Sequence, residues 1–98
     1  MALYAHLVKM TEQGASKIRG MSSHYEGVRK FGQSIGCKPV NVVACFGEFD
    51  FVGLWDCPNE VAALKLAARA VSEGMVQLQT LRACKIEDFF KVVGELPR

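Results

Sequence analysis

The chain contains no Cys-x-x-Cys pair and no histidine spaced from a cysteine as a zinc site needs, so no metal is expected. Its four cysteines, Cys37, Cys45, Cys57 and Cys84, stand too far apart to be read as a disulfide framework. Cys45 lies in an apolar run and is expected to behave as a small buried hydrophobe, whereas Cys57, beside Pro58, is expected to be accessible. Without a His or Lys neighbour to activate it, Cys57 is not read as a reactive thiol. A glycine-rich phosphate loop and a nucleophile elbow are missing as well, and no cofactor is expected. Long apolar runs are absent. No segment reaches the ~18 residues needed to cross a bilayer, and residues 1–9 do not place a basic region before a long apolar stretch. The expected location is the cytoplasm, with no membrane partner. An excess of one charge is missing too: twelve Lys and Arg are interspersed with ten acids, and a net charge of +2 is too small to hold a polyanion. An RNA-recognition sheet needs exposed aromatics in a basic strand, and Phe51-Val-Gly-Leu-Trp-Asp56 has the aromatics without Lys or Arg. Nucleic acid is therefore not an expected partner.

What the chain does have is hydrophobic patterning. Half of its 98 residues are hydrophobic, which describes one domain over residues 1–98. Residues 3–9 alternate as a strand, with Leu3, Ala5 and Leu7 on one side and Tyr4, His6 and Val8 on the other. Thr11-Glu-Gln-Gly14 breaks the pattern, and the Thr11 hydroxyl is suited to cap a helical turn. Tyr25, Val28, Phe31 and Ile35 then fall at helical spacing over residues 23–35, with Ser22 or Ser23 as the expected cap and Gly36 as the terminator. His24, at the start of this helix, is expected to be exposed.

Residues 40–46 predict a second buried strand and residues 49–56 a third, joined by a tight turn at Gly47-Glu48. Asn59 is placed to cap a second helix whose inward stripe is Val61, Leu64, Ala68, Val71 and Met75, thickened by Ala62, Ala63, Ala67 and Ala70. Gly74 stops it, residues 76–81 alternate as a fourth strand, and residues 86–93 form a short amphipathic helix bearing Phe89 and Phe90.

The order βαββαβ with a terminal helix fits an α+β, ferredoxin-like fold, a four-stranded antiparallel sheet with two helices on one face. The strands are apolar on both sides: Tyr4 and Val8 oppose Leu7, and Phe51 and Trp55 oppose Val52 and Leu54. Leaving the uncovered face in water costs ~25 cal/mol per Å2 of apolar area, so a second copy of the chain is the expected cover and the expected partner is self, as a homodimer or higher homo-oligomer.

With these elements in place the chain resembles the GYD-domain family of the dimeric α/β-barrel, ferredoxin-like superfamily. The likeness rests on residues 4–9 as opening strand, Thr11-Glu-Gln-Gly14-Ala15 after it, Gly47-Glu48-Phe49-Asp50 at the naming motif, and Thr80-Leu81-Arg82-Ala83 near the end. Phe49 replaces the motif's usual Tyr. The resemblance implies a fold and a dimeric assembly without a catalytic mechanism.

Within the motif, Gly47 suits a turn that needs positive φ and Asp50 suits acceptance of backbone N–H groups, while Asp50 is also a candidate general base. His6, mid-strand beside Tyr4, is the other candidate proton carrier. By resemblance to cofactor-free monooxygenases and cyclases of the same superfamily, Tyr4, His6, Phe51, Trp55 and Arg82 are the expected lining of a site for a small aromatic or carboxylate ligand. Whether the protein is an enzyme stays open. Three functions stand side by side: a small-molecule-binding or regulatory module, a cofactor-independent monooxygenase- or cyclase-like enzyme, and a structural oligomer assembled through its Phe89-Phe90 tail.

Overall fold

The computed structural model describes residues 2–97. The chain runs β1 (Ala2–Met10), α1 (Glu12–Ser16), a 3-10 turn (Ile18–Gly20), α2 (Met21–Ser34), β2 (Lys38–Ala44), β3 (Phe51–Cys57), α3 (Glu60–Val71), β4 (Val76–Ala83) and α4 (Ile86–Gly94). The four strands form one sheet in the order β2-β3-β1-β4 with every neighbouring pair antiparallel, the ferredoxin-like arrangement. None of the helices is long and apolar enough to cross a membrane among the described residues.

Local chemistry sets the element ends. Thr11 Oγ1 accepts the Gly14 amide at 3.0 Å and donates to Gly74 O at 2.6 Å, so one hydroxyl caps α1 and ties the end of β1 to the turn before β4. The helix α2 starts earlier than its apolar spacing predicts, at Met21 after Gly20, and neither Ser22 nor Ser23 caps it. The preceding 3-10 turn feeds directly into α2, with Ile18 O accepting the Met21 amide, so the start of the helix is held without a side-chain cap. At its other end Gly36, with φ of 86°, lets Cys37 N reach Gly32 O at 2.8 Å and Gly36 N reach Gln33 O at 3.2 Å, a Schellman ending. Asn59 Oδ1 accepts the Ala62 amide at 2.8 Å and opens α3.

Helix α3, strand β2 and the connection after β2 also differ from the sequence expectation. Of the residues expected to face inward on α3, Ala62, Ala63 and Ala70 are buried, joined by Leu66, while Val61, Leu64, Ala68 and Val71 face outward. Small side chains let the α3 backbone approach the sheet closely, and that fit selects the alanine face over the bulkier stripe. Strand β2 is an edge strand, largely exposed, and it begins at Lys38 and accommodates Pro39, which an edge permits. Residues 45–50 replace the tight turn with a longer connection, in which Asp50 N donates to Val8 O at 2.9 Å and Asp50 Oδ2 accepts Met10 N at 2.8 Å. Gly47, at φ of 139°, makes the bend.

The core lies between the sheet and helices α2 and α3, with Leu66, Cys37 and Cys57 fully enclosed and Tyr4, Trp55 and Ala63 nearly so. Cys57 is therefore buried where accessibility was expected, and burial, with the Cys37 thiol beside it, pushes its pKa up to about 12. Cys45 is half-buried rather than enclosed. The opposite face of the sheet carries Leu3, Ala5, Leu7, Val52 and Leu54, each half-buried, with Val43 and Leu81 exposed at its margins. Every residue of α4 is exposed.

Candidate functional site

The alternation of β1 and β3 sends His6, Val8, Phe51, Gly53 and Trp55 toward the helices, and α2 stands over them without filling the space. A half-open cavity of about 370 Å3 results, bounded by Met21, His24, Tyr25 and Val28 of α2, by Val42 from the edge strand, and by Ala70, Val76 and Leu78. Its wall is overwhelmingly apolar, and its size is at the small end of the range for ligand sites. Gly53 keeps the floor open: a Cβ there would come within 2.9 Å of Trp55 Nε1, so only glycine lets the indole lie across that position.

Two histidines break the apolar lining. His6 is 4% exposed, its ring centroid is 6.4 Å from that of Trp55, and its Nε2 is buried without a hydrogen-bond partner among the described residues. Removal from water disfavours the imidazolium, and the His6 pKa is lowered from 6.5 by that burial. His24 is 7% exposed and its Nδ1 lies 2.6 Å from Glu73 Oε2, which also receives Arg69 Nη1 at 3.3 Å. The His24 hydrogen bond first, and then that from Arg69, hold the Glu73 carboxyl below its ordinary range.

His24 is thus buried where exposure was expected. The signal was present in the spacing: His24 stands four residues before Val28 and eight before Gly32, and these three are the buried residues of α2. A stripe drawn from Tyr25 through Val28 leaves out this polar position one turn earlier, although it lies on the same buried side.

Of the ligand residues expected from the sequence, His6, Phe51 and Trp55 line the cavity together. Tyr4 and Arg82 sit outside that lining as a pair of their own, with the guanidinium 5.3 Å from the centre of the Tyr4 ring and Arg82 Nη1 donating to Leu3 O at 3.1 Å and Ala83 O at 2.6 Å. Asp50 is also outside it, its carboxylate held by the Met10 amide, so the two candidate proton carriers are not brought to one cavity wall. Glu48 and Phe49 lie with Gly47 in the connection between β2 and β3. No cluster of three His, Cys, Asp or Glu side chains suited to a metal ion occurs among the described residues.

No curated protein matches the chain. The GYD-domain family model matches residues 4–93, a span from β1 into α4 that takes in the sheet, the hairpin motif and both histidines of the cavity. By that match, over nearly its whole length, the chain belongs to the GYD-domain family.

Proposed function

We propose that the protein is a small-molecule-binding module whose site is the cavity between the sheet and α2. The observation that carries this reading is the buried, unpartnered Nε2 of His6 in the wall of an otherwise apolar cavity. A buried polar atom without a partner costs free energy, and a ligand that brings one hydrogen-bonding group into an apolar pocket recovers it. The ligand class is a small, flat, mainly apolar molecule with one or two polar groups, and Trp55 and Phe51 offer it aromatic surfaces. Trp55 is the only tryptophan in the chain, so its fluorescence reports the cavity directly. Titration of the full chain with small aromatic alcohols and amines is expected to change Trp55 emission saturably. Ala70→Leu, which fills the cavity, is expected to weaken that response at least about tenfold. A panel that leaves the emission of the unmodified chain unchanged refutes the cavity as a binding site.

The same reading makes the module a homo-oligomer. The chain exposes 6712 Å2 for a mass of 10.8 kDa, against about 5,500 Å2 for a monomeric protein of that mass. The excess, about 1,200 Å2, matches what one subunit loses in a substantial protein interface. Its sources are the open apolar face of the sheet and α4, whose Ile86, Phe89, Phe90, Val92 and Val93 are all exposed. Asp56, on the open face beside Leu54, keeps a buried Oδ1 without a hydrogen-bond partner among the described residues, a further group for a second copy to satisfy.

A further inference from the structure

The His24–Glu73 pair is the feature of the cavity that simple binding does not use. Glu73 Oε2 lies 2.6 Å from His24 Nδ1, and Arg69 Nη1 donates to the same carboxylate oxygen at 3.3 Å. With its pKa depressed, Glu73 is ionised near neutrality, so the proton of a neutral His24 sits on Nδ1 and Nε2 is left with a free lone pair. That nitrogen has no hydrogen-bond partner among the described residues, and unlike His6 Nε2 it is not sealed from solvent.

We propose that His24, oriented by Glu73, takes the proton of a weakly acidic hydroxyl, phenolic or enolic, on a small ligand in the cavity, so that the ligand is held as its oxyanion. The step is a proton transfer: the ligand O–H bond breaks, its electron pair stays on oxygen, and a new N–H bond forms at His24 Nε2. The imidazolium then stands between the oxyanion and the Glu73 carboxylate, with Arg69 beyond it. The groups facing this exchange are Glu73 and Arg69 on one side and, across or along the cavity wall, His6 and Tyr25. His6 faces it as a neutral ring and so adds no repulsive charge. A hydroxyl is favoured over a preformed carboxylate because it enters the apolar cavity uncharged and ionises only against the imidazole. The proposal rests on the cavity being a binding site, and it adds the acid–base class of the ligand.

The probe is 4-nitrophenol, whose anion absorbs at longer wavelength than the neutral phenol, with nitrobenzene as a companion that has no proton to give. At about one pH unit below the phenol's own pKa, addition of the full chain is expected to raise the anionic fraction of bound phenol at least about fivefold over that of free phenol. Glu73→Gln, at an exposed side chain where folding is little affected, is expected to lose most of that rise and to bind nitrobenzene as before. His24→Gln is expected to abolish it. Phenol bound only in its neutral form by the unmodified chain, or an unchanged anionic band in Glu73→Gln, overturns the proposal and leaves the cavity reading standing. Failure to bind either compound removes both.

Discussion

His6 enters the folded protein as a neutral ring, and that has a direct consequence for stability. Its pKa is lowered from 6.5 by burial, so the native state resists protonation while the unfolded chain accepts a proton as pH falls through 6.5. Below that pH the unfolded state binds more protons, and stability falls from 6.5 down to the folded pKa of His6; above 6.5 the contribution is complete and flat. Urea melts of the unmodified chain are expected to show this acid limb, and His6→Phe is expected to flatten it. A limb of equal slope in the variant assigns the acid sensitivity elsewhere. Thr11 offers a second test at this scale. Its hydroxyl holds Gly14 N and Gly74 O together, and Thr11→Ala is expected to cost about 1–2 kcal/mol in the same melts. A cost indistinguishable from zero would leave this double contact without energetic weight. The capping role of Thr11 was legible from its place between an alternating run and a polar turn. The partners of His24 were not, because Glu73 is forty-nine positions away and meets it only once α3 has packed beside α2.

Among the elements, α3 shows how packing decides what periodicity leaves open. Both of its long faces are apolar, and helical spacing fits Val61, Leu64, Ala68 and Val71 as well as Ala62, Ala63, Leu66 and Ala70. Only contact with the sheet selects the second, since an alanine face lets the helix sit close to Trp55 and Cys57 in the core. Ala63→Leu is expected to destabilise the fold by about 1–3 kcal/mol through overpacking, whereas Leu64→Ala, at a position 58% exposed, is expected to stay within about 0.5 kcal/mol in the unassociated chain. The reverse order of costs would restore the outer stripe as the core. The strands were more legible than the helices, because side-chain direction alternates without regard to what lies opposite, and β1 keeps the two faces that residues 3–9 predict. Edge position was not legible: strand order depends on pairings across the whole chain, so a run as apolar as residues 40–46 read as buried while β2 lies at the margin.

At the scale of the whole molecule, the chain is more extended than its length requires. Its Cα radius of gyration is 15.0 Å, against about 13 Å for a compact domain of 100 residues, and α4 holds its apolar side chains in the open. Two apolar surfaces, the open sheet face and α4, are therefore the candidate places for a second copy to dock, and they are separable. Leu54→Lys sets a charge in the middle of the sheet face, opposite Ala5 and Asn41, without touching the cavity side of β3. Deletion of residues 86–98 removes α4 and leaves every strand in place. Light scattering at micromolar concentration is expected to give the unmodified chain a mass at least twice 10.8 kDa. If the sheet face is the main contact, Leu54→Lys falls to the monomer mass and the truncated chain keeps most of its association. If α4 exchange is the main contact, the order reverses. Because the cavity opens on the helix side of the sheet, a dimer built on the other face leaves Trp55 and both histidines where they are, so ligand titration of a monomeric Leu54→Lys variant is expected to match that of the unmodified protein within about twofold. Loss of the titration together with the dimer would show instead that the second copy completes the site.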